Sequence, residues 1–474
     1  MSNFHGLKKL SGVDYFCSNA NDRREHSDRF GRMFPELPPL YTAPRVLNDL
    51  GSKTGPMNGG SSANRTSTVD VGQVFFGQFV DHDVTLDTSS STSSVNTPSD
   101  IVNVRTPTLD LDCIYAQGPE ASPFMYVQDG PFAGVKLLTG EDVAAANGST
   151  DPLILNDLAR SVQGTAIIGD PRNDENRIIS QMQLAMIRFH NHAVDKLASK
   201  YDGHELFEAA RDMVSRHYHW CLLYDFLPAM CGGAVVWDIL KNGRQHYCLN
   251  RVPFIPVEFS VAAYRFGHSM APQKIQVKKS ESSHTLFGQV LGKGFTPLSD
   301  ARAIVDFHEL FVTSEGRQVQ KAEKLDTQLA PILLDLPFVT SGESSLATRN
   351  LLRGQSFLLP AGEVIAEKMG RPEDEIGKVS KKANQMSGNQ LGGKTPLWFY
   401  LLAEGEVVGR ETEPAHFDKG EGLGPVGARI VAEVIIGLME LDSHSFLASD
   451  RSWQPKDGLG EDINTVGAML TYAP

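Results

Sequence analysis

The stretch FGQFVDHDVTLD, residues 76–87, sets polar side chains into a segment that otherwise carries the apolar residues of a buried helix. The apolar spacing over residues 70–87 is typical of a helix. On such a helix Gln78 and His82 are four residues apart and share a face, and Asp81 lies within the same arc. Burying three polar groups costs free energy unless a partner satisfies them. The pattern therefore predicts that this helix faces a bound cofactor.

A second set of polar residues follows about 20 positions later. Thr106, Thr108, Asp110 and Asp112 alternate along the chain, and alternate residues of an extended loop share one side. Together with Asp83 they offer the hard oxygen ligands that calcium prefers, since calcium takes six to eight of them. Taken alone, the same loop is more typical of a solvated acidic turn.

The rest of the chain reads as a single, mainly α-helical domain with long loops and few short strands. Residues 1–65 are rich in Gly, Pro, Ser and Asn and are expected to form an arm that wraps the body, held by FGRMFP at residues 30–35. Residues 66–474 form the expected single catalytic domain. Helical spacing predicts further helices at residues 177–199, 205–226, 257–270, 300–313, 361–369 and 425–441.

Composition excludes several classes of function. The formal net charge of -13 argues against nucleic-acid binding and against docking to anionic membranes. Five cysteines without a CxxC pair fit neither a disulfide scaffold nor a zinc site, so we expect buried or incidental thiols. The N-terminus carries no apolar leader, and no apolar run has the length of a membrane span. The expected location is the cytoplasm, or outside the cell by a route without a classical signal peptide.

The run GQFVDHDVTLD, residues 77–87, resembles the distal-helix motif of the peroxidase–cyclooxygenase superfamily, the animal-type haem peroxidases. The resemblance implies a myeloperoxidase-like helical fold and a haem b cofactor. It implies that His82 is the distal base and that Gln78 holds distal water. It also implies that Asp81 can form an ester with a haem methyl group and that Asp83 binds calcium. The alternating threonine and aspartate loop matches the second calcium segment of the family.

A second stretch, GDPRNDEN at residues 169–176, resembles the family segment that completes the distal site. By that resemblance Arg172 is the distal arginine and Glu175 forms the second haem ester. The mammalian myeloperoxidase branch has a methionine after this glutamate, which forms a sulfonium link to haem. Asn176 stands at that position here, so no such link is expected.

Two later stretches resemble the proximal side of the same family. EFSVAAYRFGHS, residues 258–269, is similar to the proximal-helix motif, which makes His268 the ligand of the haem iron. NLLRG, residues 350–354, is similar to the segment whose asparagine accepts the Nδ1 proton of the proximal histidine. That partner, which a metal-bound imidazole needs, would be Asn350. Arg353 would pair with a haem propionate.

The motifs follow the family order from about residue 30 to about residue 455, and LGPVGARIVAE at residues 423–433 resembles bacterial members. The resemblance implies a haem peroxidase that reduces hydrogen peroxide to water through an oxoferryl intermediate. The electron donor would be a small molecule, namely a halide, thiocyanate or a phenol. The donor, the number of ester links, the oligomeric state and any catalase-like activity stay open.

Two other functions compete with this interpretation. A haem fatty-acid dioxygenase of the same superfamily carries a radical-forming tyrosine three residues before its proximal histidine. Arg265 stands at that position here and Tyr264 lies one residue earlier, which disfavours a dioxygenase. A non-enzymatic calcium-binding or adhesion protein on the same fold is the other alternative, since fold does not fix function. His82, Arg172, His268 and Asn350 are all present, which argues against a decayed site.

Overall fold

The computed structural model describes residues 28–247, 252–279, 281–459 and 463–472. These residues are mainly helical, as predicted. Their α-helices are α1 (Pro44–Gly51), α2 (Val71–Val84), α3 (Asp112–Tyr115), α4 (Gly140–Ala146), α5 (Pro152–Leu155), α6 (Arg177–Leu197), α7 (Gly203–Cys221), α8 (Leu227–Cys231), α9 (Gly233–Asn242), α10 (Gly267–Met270), α11 (Leu346–Ser356), α12 (Gly362–Lys368), α13 (Glu373–Met386), α14 (Leu397–Val407), α15 (Pro425–Leu441), α16 (Phe446–Ser449), α17 (Pro455–Gly458) and α18 (Val466–Thr471).

Strands are short and form isolated antiparallel pairs in the described ranges. The pairs are β1 (Arg65–Asp70) with β4 (Lys321–Glu323), β2 (Lys274–Ile275) with β3 (His284–Thr285), and β5 (Arg410–Glu413) with β6 (His416–Asp418). The pairing of β1 with β4 fixes the chain immediately before α2. No helix within these ranges is long and apolar enough to cross a bilayer.

Helix α2 is anchored by its aromatic residues. Phe76 and Phe79 are fully buried, and the rings of Phe76 and Phe226 pack edge to face with their centroids 5.6 Å apart. At the start of the helix, a Cβ on Gly72 would lie 2.4 Å from the Phe311 ring, so the close approach requires glycine. These contacts hold α2 against Phe226 and Phe311, while Gln78, Asp81 and His82 line a cavity.

Most of the predicted helices are confirmed, but the one at residues 300–313 is wrong. That segment contains two single 3-10 turns, Ala301–Ala303 and Phe307–Glu309. The carboxylates of Asp300 and Asp306 accept the backbone N–H groups of Arg302 and His308, two residues further along. Such local side-chain bonds compete with a continuous helix, which the apolar spacing alone does not reveal.

The predicted helix at residues 257–270 is interrupted. A π-turn spans Glu258–Ala262, a 3-10 turn spans Ala263–Arg265, and α10 follows. Ala262 leaves the helical region, with φ of -128° and ψ of -71°. Helix α7 likewise ends in a π-turn, Leu222–Phe226. Turns of this type often lie at functional sites because they redirect side chains.

The described part of the predicted arm is held against the proximal segment by a buried carboxylate. Glu258 accepts the backbone N–H of Met33 at 2.9 Å and that of Phe34 at 3.3 Å. The backbone of Gly31 pairs with that of Ile255. Residues 1–27 of the arm lie outside the described residues, so the predicted wrapping and domain division stay predictions.

The thiols of the described residues agree with the expectation from composition. Cys113, Cys221 and Cys231 are free and buried. Burial raises the pKa of all three thiols above the usual value, which keeps them protonated and unreactive. Cys17 and Cys248 lie outside the described residues.

We predict that Glu258→Ala destabilises the protein by about 3 kcal/mol, because two buried N–H groups lose their acceptor. Chemical denaturation of the two proteins measures the difference. Glu36→Ala is the matched control on the same arm, since Glu36 makes only an exposed ion pair with Lys368. A loss no larger in Glu258→Ala than in Glu36→Ala would contradict the proposed anchor.

Candidate active site

One cavity of about 370 Å³ is lined by side chains from both the distal and the proximal motifs. Helix α2 forms one side, and the segment ending in α10 contributes Tyr264 and Arg265 to the other. The predicted site residues that line this cavity together are Gln78, Asp81, His82, Arg172, Glu175 and His268. Residues separated by up to 190 positions in the sequence therefore meet at one place.

His82 is buried in α2, with 5% of its surface exposed. Its Nδ1 lies 2.7 Å from Oδ1 of Asn173. Burial, and then the positive charge of Arg172, lower the pKa of His82 to about 4. The ring is therefore neutral near pH 7, as a proton acceptor must be.

Arg172 is held rigidly at the wall of the cavity by Asp170. The Asp170 carboxylate accepts bonds from the backbone N–H, Nε and Nη2 of Arg172 at 2.8–3.1 Å. Nη2 also donates to the carbonyl oxygens of His82 and Thr85 at the end of α2. Burial favours a raised pKa for Asp170, but its bonds to Arg172 outweigh burial and lower it. Nη1 of Arg172 takes part in none of these bonds.

The two carboxylates predicted to form ester links both line the cavity. The side-chain amide of Gln78 donates to Glu175 through a short hydrogen bond. Burial raises the pKa of Glu175 to about 7, so this carboxyl is partly protonated near neutral pH. Asp81 accepts a hydrogen bond from the Thr85 hydroxyl at 3.0 Å.

His268 contacts Asn350 as predicted, but the direction of the bond differs. Nδ2 of Asn350 lies 2.7 Å from Nδ1 of His268, so the amide donates and the ring accepts. An iron-ligated Nε2 requires the proton on Nδ1 and an acceptor beside it. A half-turn of the Asn350 amide about its Cβ–Cγ bond brings the oxygen to that position.

A neighbouring cavity of about 210 Å³ is rich in arginine. Arg172 and Arg265 line both cavities, and Arg353 lines this one. Burial, and then the charge of Arg353, lower the pKa of Arg265 to about 10. Arg353 pairs with Asp87 at 2.5 Å, while its Nε is buried without a hydrogen-bond partner among the described residues. The group of arginines favours an anionic ligand such as a carboxylate.

Behind α2, the carboxylates of Asp83, Asp110 and Asp112 come within 4.8 Å of one another. Burial and the neighbouring carboxylates raise the pKa of Asp83, and the same causes raise that of Asp112 to about 7. Thr106 joins the group, because its hydroxyl donates to Asp110 at 2.8 Å. A cation would relieve the mutual repulsion of these carboxylates.

The loop that carries this acidic cluster is not extended throughout, in contrast to the expectation from alternation. Leu111 has a left-handed backbone with φ of 58°, and Asp112 begins α3. A branched residue in that region is strained, and strain of this kind clusters at ligand sites. The Thr108 hydroxyl is buried and has no hydrogen-bond partner within the described part of the chain.

Several residues of the site were not predicted from the sequence. They are Asp170, which holds Arg172, Asn173, which contacts His82, and Arg265, which lines both cavities. The spacing of Asp170 and Arg172 is a usable signal, since an aspartate often caps the N–H two residues later. Asn173 carries no such signal, because its partner lies 91 residues away.

The overall fold matches solved structures of peroxidases and dioxygenases. Peroxidase A from Dictyostelium discoideum superposes with a TM-score of 0.62 and 13% identity over 95% of this chain and 96% of that one. A fatty acid alpha-dioxygenase from Arabidopsis thaliana gives 0.64 and 15%, over 94% and 77%. These likenesses show that the chain shares its fold with peroxidases and dioxygenases.

The family model described as animal haem peroxidase matches residues 88–361, more than half of the chain. The protein belongs to the animal haem peroxidase family. Dual oxidase 1 of Caenorhabditis elegans is 26% identical over 69% of this chain and 23% of its own length. Chorion peroxidase of Drosophila melanogaster is 27% identical over 43% of this chain and 26% of its own. The chain thus spans about a quarter of these relatives.

We predict that Asp170→Ala destabilises the protein by about 3 kcal/mol, because it leaves the buried part of Arg172 without its carboxylate. Thermal or chemical unfolding measures the effect. Asp300→Ala is a close control, since Asp300 makes the same three bonds to Arg302 at the surface. Equal losses in the two variants would contradict a special role for the buried pair.

Proposed function

We propose that this protein is a haem peroxidase that reduces hydrogen peroxide and oxidises a small electron donor, namely a halide, thiocyanate or a phenol. The observation that carries the proposal is the single cavity lined by His82 and His268. Family membership implies haem binding and peroxidase-type oxidoreductase chemistry. A buried cavity with two neutral imidazoles and an arginine suits that chemistry.

The lining residues fit a haem. His268 would hold the iron, and Asn350 would orient the His268 ring. Arg265 and Arg353 would receive the propionates, which relieves the charge of the buried arginines. Asp81 and Glu175 are the carboxylates available for ester links. When bound, the haem supplies the electrons that cleave the peroxide bond and is restored by the donor.

The distal residues provide the proton transfer that peroxide cleavage needs. Neutral His82 accepts a proton at Nε2 from one peroxide oxygen and returns it to the other, which leaves as water. Nη1 of Arg172 stabilises the negative charge that develops on the leaving oxygen. Gln78, held by Glu175, orients the bound peroxide or water through its amide.

We predict that His82→Ala slows the reaction with hydrogen peroxide by about 10²–10⁴-fold while haem remains bound. Rapid mixing of the haem-loaded protein with peroxide measures the rate, and the absorption spectrum verifies haem content. His192→Ala is the control, since His192 packs on Tyr472, away from the cavity. An unchanged rate in His82→Ala would refute the role of His82 as the base.

A fatty-acid dioxygenase remains the second candidate because of one side chain. Tyr264 lines the cavity, and its hydroxyl is buried without a hydrogen-bond partner in the described ranges. Arg265, however, stands where dioxygenases carry their tyrosine, and its Nε donates to the Ser260 carbonyl. Oxygen uptake with a fatty acid, abolished by Tyr264→Phe, would favour the dioxygenase over the peroxidase.

We also propose that the acidic cluster of Asp83, Thr106, Asp110 and Asp112 binds calcium, with the Thr108 hydroxyl as a further oxygen ligand. The close carboxylates and the strained backbone at Leu111 support this assignment. A bound ion would stiffen the end of α2, since Asp83 directly follows His82 in that helix.

Calcium at 100-fold excess over its Kd is expected to raise the Tm of the cation-free protein by about 3 °C. The effect should be lost in Asp110→Asn and retained in Asp129→Asn, which removes an exposed carboxylate away from the cluster. Differential scanning calorimetry with and without a chelator measures the shift. A Tm that is independent of calcium in the unmodified protein would contradict this site.

A further inference from the structure

The bond between His82 and Asn173 is the first link of a buried chain of side-chain amides. Nδ2 of Asn173 donates to Oε1 of Gln183 at 2.8 Å. Nε2 of Gln183 then donates to the carbonyl oxygen of Cys113 at 3.1 Å. Asn173 and Gln183 are fully buried, with 0% of their surface exposed. We call these three bonds the amide relay.

The last acceptor of the amide relay fixes the direction of every bond in it. A backbone carbonyl only accepts hydrogen bonds, so the end of Gln183 that faces Cys113 must be its NH₂ group. The oxygen of Gln183 therefore faces Asn173, whose NH₂ group must donate to it. The oxygen of Asn173 is then left for His82, and Nδ1 of that ring must carry the proton.

We infer that Asn173 and Gln183 are positioning residues that fix which ring nitrogen of neutral His82 carries the proton. With the proton held on Nδ1, the lone pair is on Nε2, the nitrogen for which the described residues supply no partner. The inference rests on the proposed function, because only a proton acceptor at Nε2 gives the tautomer a catalytic meaning. Neither positioning residue lines the cavity.

Gln183 matters because it prevents the Asn173 amide from turning over. A half-turn would present NH₂ to His82, and Nδ1 would then accept a bond while Nε2 carried the proton. In the wild-type protein that turn sets the Asn173 oxygen against the Gln183 oxygen, and turning Gln183 as well sets its oxygen against the carbonyl oxygen of Cys113. The anchor itself is fixed, since Gly169 packs so closely on Cys113 that a Cβ there would lie 2.7 Å from its carbonyl oxygen.

The decisive experiment locates the proton on the His82 ring of the haem-loaded protein. A proton–nitrogen correlation spectrum, recorded on the diamagnetic ferrous carbon monoxide form with isotope-labelled histidine, distinguishes the two tautomers. His82→Gln identifies the His82 signals by their loss. We expect the proton on Nδ1 in wild-type protein. A proton on Nε2 in wild-type protein would overturn the inference without any further variant.

Two variants that break the relay are compared with a third that removes a buried glutamine outside it. Asn173→Ala and Gln183→Met should shift His82 towards the Nε2–H form. Gln181→Met is the matched control, because buried Gln181 lies two residues away in α6 and bonds Asn156 and Val305 instead. It should lose comparable stability but keep the wild-type tautomer. Identical His82 spectra for Gln183→Met and Gln181→Met would overturn the role of Gln183.

Cyanide association gives a second measurement, because hydrogen cyanide must release its proton to a base when it binds ferric haem. The rate falls with the fraction of protein in the competent tautomer, and we expect a loss of about fivefold in Gln183→Met. Failure of the proposed function remains distinguishable. A protein that binds no haem or does not react with peroxide refutes the peroxidase, whereas the ring spectrum, recorded on the ferrous carbon monoxide form or on the haem-free protein, still tests the relay.

Discussion

The structure depends on keeping two imidazoles neutral, buried and directed into the same cavity. Each ring is oriented by one hydrogen bond with an asparagine side chain, Asn173 for His82 and Asn350 for His268. Burial lowers the pKa of both rings, to about 4 and about 3, and thereby removes the charge that would repel a metal or block proton transfer. Much of the surrounding architecture serves to bring these two rings together, from the aromatic anchor of α2 to the broken proximal segment.

A series of ion pairs connects the cavity to the acidic cluster behind α2. Arg172 pairs with Asp170, and Arg105 lies between Asp170 and Asp112, with separations of 2.8, 3.5 and 3.2 Å. Positive and negative groups alternate along this path, which lowers the cost of burying each of them. An ion at the acidic cluster and a ligand beside Arg172 would therefore influence the same network. The amide relay runs parallel to it and ends at Cys113, the residue after Asp112.

The sequence predicted what local spacing or motif resemblance can reveal. The four-residue step from Gln78 to His82 placed both on one helix face, and the motif order indicated that Arg172 and His268 belong to the same site. Apolar spacing wrongly predicted a helix at residues 300–313, because the carboxylates of Asp300 and Asp306 bond nearby backbone N–H groups instead. Local patterns also failed for Asn173 and Gln183, whose polarity is visible but whose partners are fixed only by the packing of α6 against α2 and α3.

The buried carboxylate of Glu258 has a consequence for how the chain can be divided. The segment around Met33 precedes the distal helix in sequence. It nevertheless packs on the proximal segment, because Met33 bonds Glu258, which lies more than 220 residues further along the chain. The proximal wall of the cavity therefore contains chain segments from both before and after the distal helix. Neither half is expected to fold when produced separately. A protein produced as two fragments would have to keep residues 28–40 and the proximal segment in the same fragment.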